Sequence, residues 1–209
     1  MRSGPAARGQ PAGVRMAASG SSDGASPRHR ALFYSSPWQY AREVVGFVRA
    51  GLRAGERVFV AVPGDRLDRL RLPLGGQRDL VEYADISALG ANPARIIPAI
   101  ADFAARDGAP ICVVGEPIWP SRNRAELREA TRHEALTNLA FADGSARILC
   151  PYDAASLSPQ VLADACRTHP EIATGDGTEP SRAYQGNGES PPGCDSPLAS
   201  PPAAADRLE

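Results

Sequence analysis

Apolar positions along this chain fall into two kinds of run. Short unbroken blocks suit buried strands, and longer stretches with an apolar residue every third or fourth position suit helices. The first block, RALFYS (30–35), leads through Ser36-Pro37, an N-cap and a helix-ready first residue, into WQYAREVVGFVRAGLRAG (38–55), which ends at glycine. RVFVAV (57–62) is a second strand, closed by Pro63-Gly64, and a short Leu-spaced helix around RLDRLRL (66–72) leads to LVEYADI (80–86). Asn92-Pro93 opens ARIIPAIADFAARDG (94–108), a helix that Pro98 should bend or shorten. APICVVG (109–115) is apolar throughout, as expected of a strand covered on both faces. A long helix, NRAELREATRHEALTNLAF (123–141), a strand, ARILCPYD (146–153), and a Ser158-Pro159 start to QVLADACRTHP (160–170) complete the pattern. Strands alternating with helices at this spacing predict an α/β three-layer sandwich with a mainly parallel sheet.

Composition narrows the ordered part. Residues 1–27 carry Arg, Gly, Ser, Pro and Ala without an apolar block, so they read as a disordered segment, neither a signal peptide nor a membrane anchor. From 172 onward Pro, Gly and Ser crowd out large apolar residues, and a disordered tail is expected to 209. One domain over 28–171 remains. The net charge of −1 gives no electrostatic reason to expect nucleic acid, and no segment suggests a membrane partner. Cys112, Cys150, Cys166 and Cys194 are widely spaced, with no Cys-x-x-Cys pair, which favours a reducing cytoplasm.

Candidate chemistry follows from the architecture, because ligands of open parallel sheets bind beyond the carboxyl ends of the strands. Residues just past those ends include Tyr34, Asp85, Glu116, Trp119, Arg122, Cys150, Tyr152 and Asp153. On the helix over 123–141, Leu127, Ala130, Ala135, Leu139 and Phe141 form an apolar arc, and Glu134 and Asn138, one turn apart, fall inside it. His133 is expected on the opposite, solvent side with Glu126 and Glu129. Glu116, Trp119, Arg122, Glu134 and Asn138 are together expected to border one concave ligand site. A solvated Glu116–Arg122 ion pair and a structural Glu134–Asn138 network are the plainer alternatives.

Other devices are absent from the pattern. All 23 basic residues are Arg, so no phosphate-binding Gly-x-x-x-x-Gly-Lys-Ser/Thr loop exists, and no cofactor is expected. His133 with Glu126 and Glu129 lacks zinc-ligand spacing, so no metal set is read. His169, before Pro170, is explained as a helix-end cap. RHEALTNLAF (132–141) looks like the Asn-bearing helix of histidine-kinase-type ATPases, but the glycine-rich loops that should follow it are missing. A small-molecule enzyme using Glu134 or Glu116 as base beside Cys150 is the alternative to a binding module.

Four segments in order, HRALFYSS (29–36), ADISALGANPARII (84–97), GEPIWPSRNRAELREATRHEALTNLAF (115–141) and ILCPYDAASLSPQVLADACRTHP (148–170), resemble the MEDS sensory domain (methanogen/methylotroph sensory domain). The resemblance implies a RecA/KaiC-like α/β fold without a P-loop, and binding of a small molecule, with simple hydrocarbon derivatives proposed for the family. It places family positions at His29 and Tyr34, Asp85 and Asn92, Glu116 and Arg122, Glu134 and Asn138, and Cys150, Tyr152 and Asp153. It also implies a signalling partner of the histidine-kinase or anti-sigma type, since such actinobacterial domains are often joined to a kinase-like ATPase module. A non-catalytic cytoplasmic sensor of an unknown small molecule is therefore the leading expectation.

Overall fold

The structure is a computed structural model that describes residues 28–186. Its strands are β1 (Arg28–Tyr34), β2 (Arg57–Val62), β3 (Val81–Asp85), β4 (Ile111–Gly115), β5 (Ala146–Asp153), β6 (Glu171–Thr174) and β7 (Gly177–Pro180). They form one sheet in the order β3-β2-β4-β5-β1-β6-β7. All neighbours are parallel except β6 and β7. Helices α1 (Pro37–Arg53) and α2 (Gly64–Leu74) cover one face; α3 (Ile86–Leu89), α4 (Ile96–Ala105), α5 (Arg124–Ala140) and α6 (Pro159–Thr168) cover the other. The fold is the expected α/β three-layer sandwich with a mainly parallel sheet.

Local sequence explains these boundaries. Ser36 and Ser158 cap α1 and α6 through their hydroxyls, each followed by proline at the first helical position. Asn92-Pro93 opens a 3-10 turn instead, and α4 starts at Ile96. Pro98 then falls in the first turn, where its missing N–H leaves no hydrogen bond unmade, and the helix, shorter than the expected 94–108, runs on to Ala105. Every residue of β4 is buried, as its unbroken apolar run predicts. The Asp85 carboxylate caps α3 at Ser87 and also accepts from the Gly64 amide at 3.0 Å. A Cβ at Gly64 would lie 2.7 Å from an Asp85 oxygen, so this tie requires glycine there.

The expected disorder from 172 meets an ordered hairpin. β6 pairs with β1 at Arg30, Ala31 and Leu32, and Thr174 pairs with Gly177 across a two-residue Gly175-Asp176 turn. Arg30 holds Glu171 at 2.8 Å, the Ser181 amide donates to the Pro170 carbonyl at 2.8 Å, and Gln185 donates to Arg167 at 3.0 Å. Composition hid the hairpin because only Ala173 of these two strands is buried; main-chain pairing to β1, not apolar area, holds it. The expectations for 1–27 and for 187–209 lie outside the described residues.

A chain cut after Ile172 should therefore melt lower than the full chain by at least about 4 °C, at roughly 2–4 °C per kcal/mol for a domain of this size. An unchanged melting temperature by calorimetry would mean that the hairpin adds nothing to the domain.

Candidate functional site

Two polar centres lie on opposite faces of the sheet. The first is built on α5. Asn123 and Glu126 start this helix with a reciprocal capping box, which satisfies its first amides and sets where it begins. Its inward face runs Ala130, His133, Glu134, Thr137, Asn138, Phe141, a clean i, i+3, i+4 repeat of mostly polar residues, all buried. His133 thus faces the interior, correcting the expected solvent position, whereas Leu139 is half exposed. An apolar count placed the arc about one residue off, because interior partners let polar residues occupy the buried stripe.

Those partners come from three other elements. Strand alternation puts His29 on the same face as Cys150 and Tyr152, and His169 follows α6. Glu134 has no exposure. Its Oε1 accepts from the Tyr152 hydroxyl at 3.0 Å, while its Oε2 lies 3.1 Å from His29 Nε2, 3.4 Å from Cys150 Sγ and 3.6 Å from His169 Nε2. Asn138 Nδ2 donates to the Thr168 carbonyl at 2.7 Å, which aims Asn138 Oδ1 at His29 Nδ1, 3.2 Å away. Burial acting alone would raise the Glu134 carboxyl, whereas positive charge on the neighbouring imidazoles would lower it. Burial pushes the His169 imidazole down to about 3 and His133 down to about 4. Burial, and then Glu134, pushes the Cys150 thiol well above its usual range, so it is no ready nucleophile. One donor atom each from His29, Glu134, Cys150 and His169 lie within 4.8 Å of one another, an arrangement able to hold a metal ion.

The second centre opens at the carboxyl ends of the strands. Glu116, the residue after β4, is buried and contacts Arg66 of α2, which also meets the Tyr34 hydroxyl. Tyr40 of α1 donates to Glu116 Oε2 at 3.2 Å. Burial pushes the Glu116 carboxyl up to about 8, against the lowering pull of Arg66 and Tyr40. Beside this group is a pocket of about 320 Å³ lined by Tyr34, Ser35, Ser36, Pro37, Tyr40, Asp65, Arg66, Arg69, Asp153, Ala155 and Ser156. A hollow of about 400 Å³ lies between α1 and the hairpin on the same face, away from Glu116.

The loop over 115–122 joins neither centre through its aromatic. Arg122 donates to the Gly90 carbonyl at 2.6 Å and to that of Pro117, and its guanidinium lies 3.7 Å from the centre of the Trp119 ring. These contacts lock the loop onto the end of α3, and Glu116 pairs with Arg66, not Arg122. The five residues expected around one cavity therefore separate: Glu116 lies buried behind Arg66 and Tyr40 of the strand-end pocket, Trp119 and Arg122 form a structural clamp, and Glu134 and Asn138 lie in the closed interior. Asp85 serves as a cap, while Tyr34 and Asp153 line the pocket and Cys150 and Tyr152 surround Glu134. Sequence reasoning missed Tyr40, Arg66 and the interior role of His169. Arg66 stands one residue beyond the Pro63-Gly64-Asp65 strand end, and period-two alternation from His29 to Phe33 was the available sign for His29.

The described residues form an α/β domain with a doubly covered, mainly parallel sheet, a strand-end pocket on one face and a buried polar cluster on the other. The family model for MEDS, the methanogen/methylotroph, DcmR sensory domain, matches residues 28–170, and the chain belongs to this family. No curated protein matches it. The family is one of sensory domains, consistent with a sensory or regulatory role. Among the described residues no helix is long and apolar enough to cross a membrane.

Tyr152→Phe removes one donor to a buried carboxylate with no change of shape. It should destabilise the domain by about 1.5–3 kcal/mol in denaturant unfolding, as for hydrogen bonds to charged groups. A change under about 0.5 kcal/mol would show that Glu134 does not depend on this hydroxyl.

Proposed function

We propose that the chain is a non-catalytic cytoplasmic sensor that binds a small ligand in the pocket formed by Tyr34, Tyr40, Arg66 and Asp153, and passes its occupancy to a signalling protein. The observation that carries this reading is the pocket itself, at the carboxyl ends of parallel strands with a buried Glu116–Arg66 contact in its wall. The tyrosine rings supply apolar area, and Arg66 and Arg69 supply cationic anchors suited to a short-chain carboxylate. Ser35 to Pro37, Asp65 and Ala155 to Ser156 lie in loops or first helical turns, which a ligand can order without moving the sheet. A histidine-kinase or anti-sigma-type partner reading those loops, and a RecA/KaiC-like ancestry without a phosphate loop, accord with the family and with the parallel sheet. Nucleic acid and membrane are not invoked.

An enzyme using Glu134 and Cys150 gains less support, since both are enclosed and the thiol is held protonated. The same enclosure weighs against a kinase-like ATPase role for Glu134 and Asn138. Asn138 spends its amide on Thr168 and His29.

Calorimetric titration with short-chain carboxylates and alcohols tests the reading. Arg69→Ala should weaken carboxylate binding about tenfold, equivalent to roughly 1.4 kcal/mol, and Tyr34→Phe should weaken it with the fold intact. Wild-type affinity in both variants would move the site elsewhere. The pH dependence has a definite sign. Below pH of about 8 Glu116 is neutral and the Arg66 charge is uncompensated; above it Glu116 ionises and cancels that charge. Carboxylate affinity should thus fall as pH rises through about 8, while alcohol affinity should change little. A flat carboxylate profile would exclude Glu116 from the response.

A further inference from the structure

We propose that His29, Glu134, Cys150 and His169 form a closed four-ligand site for a zinc-class divalent cation in the interior between β1, β5, α5 and α6. This site is separate from the strand-end pocket and does not depend on that reading.

The geometry fits such an ion. Four ligands held at about 2.0–2.3 Å in a tetrahedron stand about 3.3–3.8 Å from one another. His29 Nε2 lies 3.1 Å from Glu134 Oε2 and 3.2 Å from Cys150 Sγ, Cys150 Sγ lies 3.4 Å from Glu134 Oε2, and His169 Nε2 lies 3.6 Å from Glu134 Oε2. All four donor atoms are within 4.8 Å of one another, so small side-chain shifts bring them to one centre. Two imidazoles, a carboxylate and a thiolate are the donor set that suits zinc over magnesium or calcium.

The surrounding hydrogen bonds turn the donors toward that centre. The Ala165 carbonyl lies 2.9 Å from His169 Nδ1, and a carbonyl can only accept, so the proton sits on Nδ1. His169 Nε2 is then a bare lone pair, fully buried, with no hydrogen-bond partner. Asn138 Oδ1, oriented by the Thr168 carbonyl, faces His29 Nδ1 and so puts a proton there, which leaves Nε2 as the nitrogen turned toward the centre. Tyr152 occupies Glu134 Oε1 and leaves Oε2 as the inward oxygen. Carbonyl, amide and hydroxyl partners of this kind are those that orient metal ligands. Unless a proton or a cation lies between them, the imidazole lone pairs and the carboxylate oxygen converging here repel. Binding balances simply: the ion takes four lone pairs, and the Cys150 thiol releases one proton to solvent. The site presents no open position, so the ion is structural and is acquired as the chain folds.

The test uses the full chain, purified without chelator and also refolded with zinc or cobalt(II). Mass spectrometry should find about one zinc per chain, and zinc should raise the melting temperature of chelator-treated, refolded protein. Cobalt(II) should give intense tetrahedral visible bands and a near-ultraviolet thiolate charge-transfer band. Cys150→Ser should lose the charge-transfer band and keep visible absorption, and His169→Gln should weaken cobalt binding about a hundredfold. Cys112→Ser, on the opposite face of the sheet, should behave as wild type. Less than about a tenth of an equivalent of metal in refolded wild type, with zinc leaving the melting temperature unchanged, would overturn the site. So would a charge-transfer band that survives Cys150→Ser. The wild-type measurements decide the matter even where a variant fails to fold.

Discussion

The interior of this domain is organised around one carboxylate that water does not reach. An ionised Glu134 is costly to bury unless a cation or hydrogen-bond donors compensate it, and the neighbouring elements each bring a polar group to it. β1 brings His29, β5 brings Cys150 and Tyr152, and the end of α6 brings His169. Asn138, one turn further along α5, ties the His29 ring to the Thr168 carbonyl. The rotation of α5, the place where α6 ends and the register of β1 against β5 are thus linked through a single polar centre. Shape complementarity among apolar side chains does not impose so strict a register.

The strand-end pocket obeys a different logic. Glu116 is buried too, but Arg66 reaches it from α2 at a point where the guanidinium also lines open space. A guanidinium and a buried carboxyl group in contact at the wall of a cavity can respond to an occupant, whereas the cluster around Glu134 is sealed. The sheet separates the two, with α1 and α2 over the pocket and α5 and α6 over the cluster. Trp119 and Arg122 hold the loop after β4 so that Glu116 stays at its edge. The two centres share no residue, so a change at one need not disturb the other.

Much of the layering was legible because local signals agreed with the fold. β4 is apolar at each position and is buried throughout, and the Ser-Pro starts at 36–37 and 158–159 are real caps. The grouping of site residues was less legible. Glu116 and Glu134 both follow from looking near strand ends and inward helix faces, yet which side of the sheet each meets depends on three-dimensional pairing. His133 lies inside against expectation because an arc drawn from apolar residues alone counts a polar interior face as surface. The hairpin over 171–180 was missed since its stability comes from pairing with β1, and the Thr-Gly-Asp-Gly turn was its only clear sign.

The central claim is that imidazole lone pairs, not protonated nitrogens, face Glu134 in the interior. Nitrogen-15 NMR of the histidine rings in the full chain near neutral pH tests it most directly, since protonated and bare ring nitrogens differ widely in shift. The account predicts that His29 and His169 each carry a proton on Nδ1 alone, with Nε2 unprotonated. A His29 ring protonated on both nitrogens, ion-paired to Glu134 with no cation between them, would contradict it.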